Sequence, residues 1–180
     1  FQEESTVAAF LLRARREGIR DFGACMAPMT AWQVLQGIET LPVRMEKHVA
    51  NARRVVAFLR EHPMVASVSY PELPDHPDHA LAQRLLPRGC GAVFPVNLKA
   101  TREQGRRFIE TLKLFSHLAN VGDAKSLVIH PASTTHFRMS SEDLARAGIT
   151  EGTIRLSIGL EDPDDLIEDL SRALHAAGKA

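Results

Sequence analysis

The chain has 180 residues, with 22 lysines and arginines, 22 aspartates and glutamates, and a formal net charge of zero. This balance gives no electrostatic reason to expect nucleic acid or an anionic membrane surface as a partner. No apolar run reaches the length that a membrane-spanning helix needs. The two cysteines, Cys25 and Cys90, lack a metal-binding or redox spacing, which favours a reduced, cytoplasmic protein.

Helical periodicity dominates the first third of the chain. An apolar stripe predicts a helix over residues 5–22. Thr30 is a good N-cap and predicts the start of a second helix, which Pro42 should kink or restart. A third helix is predicted over residues 45–62, because Pro63 disfavours helical geometry in the residue before it.

Short strands and helices alternate after this point. Strands are predicted over residues 65–70, 92–98 and 127–129, with helices over residues 78–86, from Thr101 and over residues 140–147. Pro95 cannot donate a ladder hydrogen bond, which indicates an edge strand or a bulge. Thr101 and Gln104 have the spacing of a capping box.

The last two elements have the clearest patterns. Apolar and polar residues alternate over residues 153–158, so one face of this strand should be buried while the other presents Thr153, Arg155 and Ser157. Asp162 and Pro163 predict a helix start, and Gly178 its end. Strands interleaved with amphipathic helices predict an α/β fold, an α+β two-layer sandwich whose polar sheet face meets water, a ligand or another domain.

Several side chains invite a catalytic or metal-binding interpretation. His76 and His79, with Asp75 and Asp78 beside them, could be metal ligands, but a polar solvated turn is the favoured interpretation. Cys90 could be a nucleophile, but a small residue entering a strand is favoured. The sequence contains no Gly-rich phosphate loop, no G-x-S-x-G elbow and no paired-histidine zinc motif on a helix.

The stretch over residues 116–136 is different, because small, polar and turn-forming residues replace the periodic pattern. Such a segment builds the rim of a pocket or a structured polar loop. Arg155, on the polar face of its strand, is either a hydrated surface arginine or a binding group. The residues by themselves leave both pairs of alternatives open.

Three blocks occur in order along the chain: QGIETLPVRMEKHVANA over residues 36–52, ANVGDAKSLVIHPASTTH over residues 119–136, and GTIRLSIGLED over residues 152–162. Together they resemble the pyridoxal-phosphate (PLP) enzymes of cysteine and methionine metabolism, and weaker similarity covers residues 8–178. The segment HLANVGDAKSL resembles the O-acetylhomoserine sulfhydrylase branch. Cystathionine γ-synthase, cystathionine γ-lyase and methionine γ-lyase are the alternatives within the family.

The resemblance implies the small C-terminal domain of the aspartate-aminotransferase-type fold, known as fold type I. This domain has a mostly antiparallel sheet with helices on one face. Residues 1–28 would be the tail of a PLP-binding domain, and residues 29–180 the domain that binds the substrate carboxylate. The complete enzyme is expected to be a cytoplasmic homotetramer that makes homocysteine or methionine, and acetate, from O-acetylhomoserine and sulfide or methanethiol.

The resemblance also assigns site residues. The carboxylate-binding arginine of the family falls on Arg155, and a second carboxylate contact falls on Asn120. A planar guanidinium can hold a carboxylate through two parallel charge-assisted bonds, and an amide can add a donor. Ser126 and Thr135 lie in the matching block and are expected to brace the loop behind the site. No metal ligand and no catalytic residue is expected in this chain.

The family's Schiff-base lysine belongs to a Ser/Thr-rich motif upstream of the matching region. No lysine here has that context; the five are Lys47, Lys99, Lys113, Lys125 and Lys179. Without its cofactor domain the chain is therefore expected to bind no PLP and to be inactive, and its start at Phe1 suggests an excised piece. Two rival hypotheses are a non-enzymatic amino-acid-binding module that reuses the Arg155 clamp, and an inactive structural remnant.

Overall fold

The computed structural model describes residues 2–179. The chain divides into two compact units, one ending at Pro42 and the other beginning at Val43. The domain boundary predicted near residue 28 concerns a cofactor domain outside this chain and stays a prediction.

The first unit is helical. Helix α1 (Ala9–Arg13), a π-helical turn (Ala14–Ile19) and helix α2 (Arg20–Phe22) follow one another without a break, which confirms the predicted helix from Ala9 onward. Gly23 then adopts φ 66°, the left-handed conformation that commonly follows a helix. Helix α3 (Pro28–Glu39) begins two residues before the predicted Thr30 cap. That prediction was wrong because Pro28, with its pre-set φ, already occupies the first helical position.

Helix α4 (Leu41–Glu61) confirms that the helix restarts at Pro42, which lies in its first turn. The second unit also contains strand β1 (Val65–Val68), helix α5 (His79–Leu85), strand β2 (Val93–Leu98), helix α6 (Arg102–Thr111), strand β3 (Ser116–His117), strand β4 (Leu127–Ile129), helix α7 (Ser141–Arg146), strand β5 (Thr153–Ser157) and helix α8 (Pro163–Gly178). None of the helices in residues 2–179 is long and apolar enough to cross a bilayer.

The strands form one five-stranded sheet in the order β1-β2-β5-β4-β3. All neighbouring strands are antiparallel except the short β3, which runs parallel to β4. The core lies between one sheet face and helices α4, α6 and α8, and includes Ala52, Leu59, Phe94, Val96, Phe108, Ile154, Leu156, Leu166, Leu170 and Leu174. This arrangement confirms the predicted two-layer, mostly antiparallel fold.

Of the two alternatives predicted for Pro95, the structure contradicts the edge strand, while the pairing of β1 with β2 does contain a register shift, between Val65 and Ser67. Strand β2 pairs with β1 on one side and with β5 on the other, so it is an interior strand. The last β1 pair joins Val68 to Val96, and beyond it the carbonyl of Pro95 accepts a hydrogen bond from the Ser69 amide. The missing N–H of proline therefore falls where β1 has already ended.

The polar face of β5 is also more buried than predicted. Thr153 and Ser157 are both buried, and only Arg155 among the three polar residues is half-exposed. The Thr153 hydroxyl donates to Asn97 Oδ1 at 2.7 Å, and the Ser157 hydroxyl accepts from the Gly122 amide at 3.4 Å. Neighbouring strands and loops of the same chain therefore cover both ends of this face.

The helix caps form at the residues that the sequence predicts. Thr101 and Gln104 form both bonds of the predicted capping box at the start of α6. Ser140 caps α7, and Asp162 caps α8 with Pro163 at its first position. Gly178 is the last residue of α8 rather than the residue after it.

Candidate functional site

Arg155 projects from the centre of the open sheet face. It lies at the midpoint of β5, which is the central strand of the sheet, and it is opposite Pro95 of β2 and Ile129 of β4. The side chain is half-buried. The flanking strands hold its backbone on both sides, so the Cα from which the guanidinium extends is fixed by the sheet.

Asn120 meets Arg155 from the loop between β3 and β4, which we call the 118–125 loop. The Arg155 Nη2 group donates to the backbone carbonyl of Asn120 at 3.3 Å. The side-chain Oδ1 of Asn120 accepts from the amide of Val121 at 2.9 Å. The structure therefore brings the two predicted carboxylate-binding residues together, through the asparagine backbone rather than its side chain.

Both residues keep hydrogen-bond donors for a ligand. A guanidinium carries several N–H groups, so the bond to the Asn120 carbonyl leaves a parallel pair unused. Among residues 2–179, no carboxylate forms an ion pair with Arg155. The Asn120 Oδ1 atom accepts from the Val121 amide, and within the described residues its NH₂ group has no hydrogen-bond partner. Donors of this kind suit an anion with two equivalent oxygens.

Ser126 lies at the base of the 118–125 loop and is completely buried. Its amide and its hydroxyl donate to the two carboxylate oxygens of Glu161, at 2.7 and 2.9 Å. Its hydroxyl also accepts from the Gly159 amide at 2.8 Å. Glu161 was not singled out from the sequence, although it belongs to the conspicuous GTIRLSIGLED block.

Thr135 is exposed, and its hydroxyl lies 2.8 Å from Nδ1 of His136. Within the described residues, no hydrogen bond links it to Arg155 or Asn120. Its predicted role behind the site stays a prediction, as does the role of Ser126 in binding.

His130 is a buried histidine that sequence reasoning did not single out. Its Nε2 lies 2.7 Å from the Glu151 carbonyl and its Nδ1 lies 2.9 Å from the Ser133 hydroxyl. A carbonyl only accepts, so Nε2 carries the hydrogen. Burial lowers the pKa of His130, with the bond to Glu151 acting in the opposite direction. The neutral ring therefore connects β4 to the segment that leads into β5.

The other candidates form structural contacts. His76 Nδ1 accepts from the Asp78 amide, and His79 Nδ1 lies 3.1 Å from the Pro71 carbonyl. No group of three or more histidine, cysteine or acidic side chains in residues 2–179 could hold a metal ion. Burial raises the pKa of the Cys90 thiol, which disfavours the nucleophilic thiolate.

The lysines provide no place for a Schiff base to PLP in the described chain. All five are exposed to solvent. The ammonium of Lys99 donates to the Pro63 carbonyl. A lysine that reacts as an amine needs a desolvated or cationic pocket around it, and exposed positions do not provide one. The residues present here therefore do not fit covalent attachment of the cofactor.

Comparisons with known proteins identify the family. The chain is 49% identical over 167 residues to the O-acetyl-L-homoserine sulfhydrylase of Leptospira meyeri, covering 92% of this chain and 38% of that protein. It is 49% identical over 166 residues to O-acetyl-L-homoserine sulfhydrylase 1 of Thermus thermophilus, covering 92% and 39%. The chain thus spans about two fifths of the length of these relatives.

A solved structure of a protein with a related name is also similar to this chain. A putative O-acetylhomoserine (thiol)-lyase from Campylobacter jejuni, crystallised with N'-pyridoxyl-lysine-5'-monophosphate, matches with a TM-score of 0.83 and 47% identity over 92% of this chain and 39% of that one. The family described as Cys/Met metabolism PLP-dependent enzyme matches residues 4–175. The chain therefore belongs to the PLP-dependent enzyme family of cysteine and methionine metabolism.

Proposed function

We propose that this chain is the substrate-carboxylate-binding part of an O-acetylhomoserine sulfhydrylase. The observation that carries the proposal is the contact between Arg155 and Asn120 on the open sheet face. The names and the 49% identity of the Leptospira and Thermus relatives support this branch of the family. The complete enzyme would convert O-acetylhomoserine and sulfide into homocysteine and acetate, or use methanethiol to form methionine.

The role of this chain is to bind and orient the substrate. The unused N–H pair of Arg155 would hold both oxygens of the α-carboxylate, and the Asn120 amide would add a third donor. Fixing the carboxylate restricts rotation of the amino acid, so that its Cα proton faces the catalytic base. Since β5 is the middle strand of the sheet, the backbone that carries the guanidinium is held by strands on both sides.

The cofactor of the complete enzyme is PLP, which serves as an electron sink for carbanion chemistry when it is bound. None of the exposed lysines here suits attachment of PLP, so we expect its lysine in the part of the enzyme that precedes this chain. The 180-residue chain by itself is therefore expected to be inactive and to bind no PLP. Adding PLP to the isolated chain and recording its visible absorbance tests this expectation.

The complete enzyme should be assayed with three substrate combinations. O-acetylhomoserine with sulfide should give homocysteine and acetate. O-acetylhomoserine with cysteine would give cystathionine in a γ-synthase, and methionine alone would be cleaved by a γ-lyase. A preference for either of the last two combinations would contradict the sulfhydrylase assignment while leaving the Arg155 clamp intact.

The expected assembly and location of the complete enzyme follow from the same family. We expect a cytoplasmic homotetramer, and the two free cysteines are consistent with a reducing compartment. Light scattering of the complete enzyme would measure the mass of the assembly. A monomer in solution would contradict the tetramer.

A further inference from the structure

Hydrogen bonds, rather than buried side chains, hold the 118–125 loop over the sheet. Every residue from Leu118 to Lys125 is exposed, so no apolar side chain anchors this segment in the core. Asn120 lies six positions before Ser126, the first buried residue after the loop. The position of Asn120 opposite Arg155 therefore depends on the polar ties at the base of the loop.

Three ties connect this loop to the end of β5 and the segment after it. The Gly122 amide donates to the Ser157 hydroxyl at 3.4 Å, and the Leu160 amide donates to the Ala124 carbonyl at 2.8 Å. The third tie joins Ser126, at the base of the loop, to the segment after β5. Ser126 donates to Glu161 at 2.7 and 2.9 Å, and the Gly159 amide donates to the Ser126 hydroxyl at 2.8 Å. It is the one tie of the three that is made by an acidic side chain.

The backbone of Glu161 is itself held by a hydrogen bond from helix α4. The buried Asn51 of α4 donates to the Glu161 carbonyl at 2.8 Å and to the Gly159 carbonyl at 3.0 Å. A Cβ on Gly159 would lie 2.5 Å from both the Ala124 carbonyl oxygen and the Ser126 nitrogen. The backbone at the base of the loop and the segment after β5 are therefore in close contact. The Glu161 carboxylate forms hydrogen bonds across this contact.

We infer that Glu161 is a positioning residue, which acts through Ser126 to hold Asn120 beside Arg155 and so completes the carboxylate-binding site. This inference rests on the proposed function. Glu161 does not touch the substrate in this scheme. Its two carboxylate oxygens satisfy two donors of one buried residue, and a neutral amide of the same shape cannot do so because one of its atoms is a donor.

The test compares Glu161→Gln with Glu168→Gln in the complete enzyme. Glu168 is an exposed residue of α8 and contacts none of the loop, so its variant is the matched control. Glu161→Gln should raise KM for the amino-acid substrate about fivefold to tenfold and change kcat by less than about twofold. The control should leave both constants unchanged. A lower melting temperature with unaltered KM would show that Glu161 is merely structural, which overturns the inference.

A double-mutant cycle separates positioning from a general loss of structure. In an Asn120→Ala background, Glu161→Gln should change KM by less than about twofold, because the residue through which it acts is already gone. An equal increase of KM in both backgrounds would overturn the inference. If Glu161→Gln fails to fold, Ser126→Ala removes the hydroxyl bond to Glu161, together with the bond that this hydroxyl accepts from the Gly159 amide, and should give the same pattern in both backgrounds.

Hydrogen exchange tests the clamp without relying on activity. Amides over residues 117–126 should exchange about tenfold faster or more in Glu161→Gln than in the parent or in Glu168→Gln. Unchanged exchange in this segment would overturn the inference even in an active enzyme. A parent without activity on O-acetylhomoserine would contradict the proposed function instead, and the exchange result would still decide whether Glu161 holds the loop.

Discussion

Gly105 of α6 lies against the ring of His130, so closely that a Cβ on this glycine would be 2.6 Å from His130 Nε2 and 2.9 Å from Cε1. The ring cannot move away easily, since both of its nitrogens are hydrogen-bonded to the chain. Glycine in a helix interior normally costs stability relative to alanine. Here close packing requires it.

Gly105→Ala should therefore lower the free energy of unfolding by up to about 2 kcal/mol. Overpacking a core costs about 1–3 kcal/mol, and the gain in helix propensity offsets about 1 kcal/mol of that cost. Gly37→Ala in α3 is the control, because a Cβ there meets nothing within 4 Å. Urea unfolding of both variants measures the difference, and equal stability of the two would contradict this packing.

The stability of the fold should depend on pH through His130. Burial lowers the pKa of His130, so near its ordinary pKa of about 6.5 the unfolded chain binds the proton more readily than the folded chain. The contribution of the neutral ring is complete above this pH and is lost as the pH falls toward the lowered pKa.

The free energy of unfolding should accordingly decrease between pH 7.5 and pH 5.5, which denaturant titrations at about those two pH values can measure. His130→Gln should reduce the slope. Some slope should remain, because burial also lowers the pKa of His62. A parent whose stability rises on acidification would show that the histidine is not held neutral.

Arg155→Ala in the complete enzyme should reduce kcat/KM at least about tenfold, since a hydrogen bond to a charged group contributes about 1.5–3 kcal/mol. Arg155→Lys should recover only part of the loss, because an ammonium cannot supply two parallel N–H groups. The control is Arg107→Ala on the exposed surface of α6. Steady-state kinetics with O-acetylhomoserine gives the comparison, and unchanged values for Arg155→Ala would remove this residue from the site.

Asn120→Ala should raise KM about tenfold through loss of one donor to the carboxylate. Asn120→Asp has the same shape but replaces the amide with a negative charge that repels the substrate, so its KM should rise further. The informative result is which of the two variants has the higher KM. An aspartate variant that binds as well as the parent would mean that the side chain of residue 120 does not contact the carboxylate.

Elements with a local cause could be predicted from the sequence. The capping box of Thr101 and Gln104 and the Asp162–Pro163 start of α8 depend on residues within one helical turn, so their patterns are sufficient. Strand β3 could not be predicted, because its two residues have no periodicity and form a strand only by pairing with β4. The edge prediction for Pro95 failed because edge or interior depends on which strands lie on either side.

The sequence by itself determined the family, and its resemblance to that family predicted Arg155 and Asn120 as carboxylate-binding residues, because long collinear blocks keep equivalent positions in order even when their contacts are unknown. Only the tertiary structure decided how Asn120 reaches Arg155, through its carbonyl, and that Ser126 donates to the carboxylate of Glu161, 35 residues further along the chain. Such contacts join segments that are distant along the chain, and sequence periodicity reports only neighbours within one element.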